Sequence, residues 1–83
     1  MRLTVRYFAS IREALGAAEA LEMPAGSSVA DIRDALIALD EPHAHALARG
    51  KALRSALNQV LCNEAAIVPD GAELAFFPPV TGG

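Results

Sequence analysis

Ser27-Ser28-Val29-Ala30-Asp31-Ile32-Arg33-Asp34-Ala35-Leu36-Ile37-Ala38-Leu39 is the stretch on which the fold turns. Val29, Ile32, Leu36 and Leu39 are spaced 3, 4 and 3 apart, which lines them up as one apolar stripe on an α-helix. Asp31 falls in the first turn, where the helix dipole favours negative charge. Pro42 stops the pattern, because the residue before a proline disfavours helical backbone. The spacing predicts one main helix over residues 29–39. Its stripe is wide enough to cover one face of a sheet.

The flanks supply that sheet. Upstream, Leu3, Val5 and Tyr7 alternate with Arg2, Thr4 and Arg6, the period of a half-buried strand. Ser10 with Glu13 three residues later has the form of a capping box, so a short helix is expected from Ser10 to a stop at Gly16. Glu19 to Met23 alternates again and ends at Pro24. These two strands are expected to pair antiparallel. Downstream, residues 41–50 read as a connector with a helical turn over 44–47. Residues 53–57 and 60–62 flank Asn58-Gln59 as a hairpin. Pro69-Asp70-Gly71 is a turn, and residues 72–77 form the last strand. Strands around a single long helix make an α+β domain, with a mixed sheet of about five strands on one main helix and a short helix after the first strand.

Composition narrows the function. Hydrophobic residues make up 53% of the 83, enough to pack a core rather than stay disordered. A net charge of -3 gives no electrostatic footprint for nucleic acid or an anionic membrane. No apolar run approaches the roughly 20 residues of a membrane span. The chain opens directly on a strand pattern rather than a signal peptide, so a cytoplasmic location is expected. Cys62 is the one cysteine, which excludes a disulfide framework. In the apolar run Val60-Leu61-Cys62 it reads as a buried structural thiol. His43 and His45, two apart, do not share a helix face, and no metal site is expected. No nucleophile–base pair, carboxylate pair or Gly-rich phosphate loop is present, so the folded body offers no evident active site.

Strand parity marks a different kind of site. Phe8 shares parity with Arg2 and Arg6, Leu61 with Gln59 and Asn63, and Phe77 with Glu73. All three are expected on the outer face, where an apolar patch marks a partner surface. The residues after Phe77 then form a tail. Pro78-Pro79 favours an extended path, and Val80-Thr81 lead to Gly82-Gly83, which carry no Cβ to clash in a narrow channel. Fully extended, residues 78–83 reach roughly 20 Å. The expected organisation is a domain over 1–77 and an extended tail over 78–83. A terminal carboxylate is ionised at neutral pH and is a poor electrophile. It reacts once activated, for instance as an anhydride with AMP. Sulfur can then displace AMP to give a thiocarboxylate, or a lysine amine can displace it to give an isopeptide. In both cases the domain is a carrier and its partners catalyse.

Ala75-Phe76-Phe77-Pro78-Pro79-Val80-Thr81-Gly82-Gly83 resembles the ending of molybdopterin synthase small subunits, the sulfur carriers of molybdenum cofactor biosynthesis. The segments Val5-Arg6-Tyr7-Phe8-Ala9, Arg12-Glu13 with Gly16, Gly50-Lys51, Leu57-Asn58-Gln59 and Asp70-Gly71 agree in order. The resemblance implies the ubiquitin-like β-grasp fold. It also implies that Gly83 is adenylated by an ATP-dependent, E1-like activating enzyme and thiocarboxylated with sulfur from a donor enzyme. The tail of residues Pro78, Pro79, Val80, Thr81 and Gly82 would then insert into the large synthase subunit, in a heterotetramer of two small and two large subunits. There sulfur passes to cyclic pyranopterin monophosphate, forming molybdopterin. Phe8, Leu61 and Phe77 match partner-contact positions. No bound cofactor is implied; the ATP belongs to the activating enzyme, and the chain is not catalytic alone. The alternatives are a Gly-Gly sulfur carrier for thiamine or tRNA thiolation, a ubiquitin-like modifier joined to lysines, and a structural domain with an inert tail.

Overall fold

Leu3, Val5 and Tyr7 are buried and Arg2, Thr4 and Arg6 exposed, so β1 (Arg2–Tyr7) has one face in the core and one in water. The computed structural model describes residues 1–79. The elements after β1 are α1 (Ala9–Leu15), β2 (Ala18–Glu22), α2 (Val29–Ile37), α3 (Glu41–Ala46), β3 (Arg54–Leu57), β4 (Val60–Cys62) and β5 (Glu73–Phe77). The sheet order is β2-β1-β5-β3-β4. β1 and β5 run parallel and every other neighbouring pair antiparallel. This is the mixed sheet of an α+β, ubiquitin-like β-grasp domain.

α2 begins on a full capping box. The Ser28 hydroxyl accepts from the Asp31 N–H, and the Asp31 carboxylate accepts from the Ser28 N–H. Those bonds satisfy donors that a helix start leaves unpaired. Val29, Ile32 and Leu36 are fully buried in a core shared with Leu3, Val5, Leu74 and Phe76. Leu39 is 53% exposed, because α2 ends at Ile37, two residues short of the predicted limit.

Three local expectations need correction. Phe8, not Ser10, caps α1, and it makes no side-chain cap bond. The Phe8 N–H donates to the Phe76 carbonyl, so β5 holds the chain extended to Phe8 and the helix starts straight after it. The connector after α2 is a helix, α3, capped by the Asp40 side chain on the His43 N–H and carrying Pro42 in its first turn, where a missing N–H costs nothing. Cys62 is half-buried rather than enclosed, with its thiol 3.8 Å from the Ser55 hydroxyl, because β4 is an edge strand. Among the described residues no helix is long and apolar enough to cross a membrane.

Candidate functional site

Cross-strand register carries the outer face of the sheet. Arg6 lies opposite Ala75, Ala75 opposite Ala56, and Ala56 opposite Leu61, so one row runs from β1 to β4. Tyr7 lies opposite Phe76, and one residue further Phe8 stands beside Phe77. Phe77 faces Arg54 on its other side. Strands are about 4.8 Å apart, so Leu61 is separated from β5 by roughly 10 Å, with Ala56 between. Phe8, Phe77 and Leu61 thus share one face across a floor of alanines.

Their exposures differ. Leu61 is 65% exposed and Phe8 40%, as parity predicts. Phe77 is only half-buried; it is flanked by Phe8 and Arg54 and followed by Pro78. Val60 is 68% exposed against its parity, since the end of an edge strand beside a tight turn has nothing to cover it. Charges frame the patch. Arg6 reaches Glu73 at 3.6 Å across the β1–β5 seam, and its guanidinium carbon lies 5.8 Å from the Phe8 ring centre, within cation–π range. The outward parity of Arg6 is legible in sequence. Its pairing with Glu73 is not, because it needs the parallel β1–β5 register.

The tail leaves from the edge of this face. β5 ends at Phe77, Pro78 is half-buried and Pro79 exposed. Val80, Thr81, Gly82 and Gly83 lie outside the described residues, and with them the expected reactive carboxylate. Two hollows flank the two prolines. One, of about 450 Å³, is lined by Pro79 with Arg54, Leu61, Cys62 and Asn63. The other, of about 480 Å³, is lined by Pro78 with Ile11, Ala14, His45 and Leu53. The first joins the Leu61 side of the apolar face to the root of the tail. Leu61 and Pro79 thus line the same hollow.

The likenesses to known proteins bear on the same features. The ThiS family pattern matches residues 5–83. The molybdopterin synthase sulfur carrier subunit of Haemophilus influenzae is 40% identical over 82 residues, covering 98% of this chain and 99% of that one. SAMP1 from Haloferax volcanii has a similar structure, with a TM-score of 0.78, 26% identity and full coverage of both chains. The complex of subunits 1 and 2 of the molybdopterin-converting factor from Helicobacter pylori contains another similar chain, with a TM-score of 0.69, 26% identity and full coverage of both.

Proposed function

The chain belongs to the ThiS family, and on that premise we propose that it is the sulfur carrier, the small subunit, of a molybdopterin synthase. The observation that carries this reading is the near end-to-end match to a sulfur carrier subunit of that synthase. The outer face supports it: Leu61, Phe8 and Phe77 form an apolar surface next to the root of the tail. A solved relative comes from a complex of two subunits, which supports a large-subunit partner.

The working group in this reading is the carboxylate of Gly83. Its oxygen attacks the α-phosphorus of ATP in an E1-like activating enzyme, releasing pyrophosphate. Hydrosulfide released by a donor enzyme then attacks the acyl carbon, breaking its bond to AMP, which leaves, and forming the C–S bond of a thiocarboxylate. Pro78 and Pro79 hold the tail extended, and Gly82-Gly83 let it enter a narrow channel in the large subunit. Sulfur passes to cyclic pyranopterin monophosphate, and water returns the carboxylate. A dithiolene needs two sulfurs, which fits a heterotetramer holding two small and two large subunits. ATP-dependent activation fits a cytoplasmic site of action.

The test is intact mass after incubation with activating enzyme, ATP and a sulfur source. Replacement of one oxygen by sulfur on the last residue is expected. An unchanged mass, or a ladder of lysine conjugates, would sink the carrier reading, and the ladder would favour a modifier. Deleting Gly83 is expected to abolish sulfur transfer with stability unchanged, since a tail residue adds little to folding.

A further inference from the structure

His43, on α3, carries a carboxylate on each ring nitrogen. Nε2 is 2.7 Å from Glu19 Oε2 on β2, and Nδ1 is 2.6 Å from Asp40 Oδ1 at the α3 cap. The same Glu19 oxygen accepts the Tyr7 hydroxyl at 2.7 Å. Tyr7 is 1% exposed, and its ring meets the imidazole edge-on with centres 6.5 Å apart. One imidazole, itself 12% exposed, thus ties together β1, β2 and the start of α3.

A neutral imidazole has a single N–H. It can serve Glu19 or Asp40, and the other carboxylate would then face a lone pair at hydrogen-bond distance. Both bonds together need the imidazolium. Burial by itself disfavours that charge, but the bonds to Glu19 and Asp40 outweigh it and hold the ring's pKa above its ordinary value. The Asp40 carboxyl is held below its ordinary value, first by the His43 backbone N–H and then by the ring. Burial, then Glu19, pushes the Tyr7 hydroxyl far above its usual range, so it stays a neutral donor. The other charged groups on packed elements are Arg2 and Arg6 of β1, Glu22 of β2, Arg12 and Glu13 of α1, Asp31, Arg33 and Asp34 of α2, and Glu41 and His45 of α3 itself. Arg33 is committed to Glu64 and Asp34 to Arg49. Among the described residues the ion partners of His43 are Glu19 and Asp40.

α3 also helps to wall the hollow of about 480 Å³ that Pro78 lines, contributing His45 and Ala46 beside Ile11 and Ala14 of α1. α3 and Pro78 are therefore walls of one hollow.

We propose that His43 is a proton-operated latch, clamping α3 against β1 and β2 as an imidazolium and releasing α3 and the wall beside Pro78 when the ring loses its proton. A raised histidine pKa stabilises the fold fully below the ordinary value of 6.5, and the contribution is lost as pH rises through the raised value. The Asp40 contribution runs the other way. It is present above 3.8 and lost as pH falls through the depressed value. The latch belongs to the free domain and stands apart from the sulfur-carrier reading.

Amide hydrogen exchange of the full chain, from mildly acid to mildly alkaline pH and corrected for intrinsic base catalysis, tests it. The His43 ring is followed by its nitrogen shifts in the same samples. Protection of the Ala44 and Leu47 amides, which close α3 onto Asp40 and His43 carbonyls, is expected to fall about tenfold as the ring deprotonates, while the strands keep theirs. His43→Gln cannot titrate and should show protection that is flat with pH. Glu19→Gln should move the loss to lower pH. The proposal is overturned if the ring titrates with α3 protection unmoved, or if His43→Gln keeps the original profile.

Discussion

Arg33 follows Ile32 on the main helix, four residues after Val29 and three before Leu36, so it borders the apolar stripe, and its side chain is only 4% exposed. Nε donates to the Leu47 carbonyl at 2.8 Å, and one terminal nitrogen donates to Ala48 at 2.6 Å and Lys51 at 3.1 Å. The other pairs with Glu64 at 2.7 Å. A single guanidinium therefore holds the carbonyls that follow α3, and its planar fork suits this work as a lysine ammonium does not. Glu64 also accepts from Arg49, which bridges on to Asp34. Burial alone would raise the Glu64 carboxyl, but the two arginines hold it below its ordinary value. Arg33→Ala is expected to cost about 3 kcal/mol in urea unfolding, because it strands buried carbonyls and removes one side of a partly buried ion pair. Arg33→Lys should recover only part of that loss. A loss within the noise of a surface substitution would show that water replaces the guanidinium without penalty.

At the scale of elements, the β3–β4 hairpin shows how a sequence reading can be right in place and incomplete in kind. Asn58-Gln59 is the turn, as expected, and both residues have positive φ, 48° and 70°. Both central residues positive is the signature of the turn type whose twist matches paired strands. Asparagine tolerates that backbone, and here its side chain also accepts from the Glu73 N–H at 2.9 Å, stitching the turn to β5. Glutamine has no such compensation and carries the strain of an L residue in left-handed backbone. Gln59→Gly is expected to raise stability by about 0.5–1 kcal/mol, read as a higher urea midpoint at unchanged slope. A lower midpoint would mean that the Gln59 side chain contributes more than its backbone costs. At α1 the helix forms where the sequence signals one, but its cap is Phe8 rather than Ser10. Ser10-Ile11-Arg12-Glu13 has the pattern, but the Phe8 N–H bond to Phe76 moves the start upstream. A tertiary contact outweighed a local motif.

For the whole molecule, the sheet divides the work. Its inner face packs on α2 with Val5, Leu74 and Phe76 essentially out of water. Its outer face presents Leu61 and Phe8 beside the tail root. Substitutions should separate along that division. Leu36→Ala is expected to cost about 2–5 kcal/mol through lost burial and a cavity, whereas Leu61→Asp should change stability by less than about 0.5 kcal/mol and weaken capture by the large synthase subunit. Equal losses of stability and binding for Leu61→Asp would make it a packing residue. By itself, the sequence determined the helix under the sheet, five strand segments, the outward parity of Phe8 and Leu61, and the family, because those depend on local period, turn chemistry and motif. It also pointed to Gly83, whose proposed role rests on the chemistry of a carboxylate rather than on packing. Only the tertiary structure decided that β1 and β5 are parallel neighbours, that Arg33 is buried beneath the turn after α3, and that His43 lies between Glu19 and Asp40. Residues 24 apart in sequence, such as Glu19 and His43, meet through the path of the chain, and no local pattern of spacing records that path.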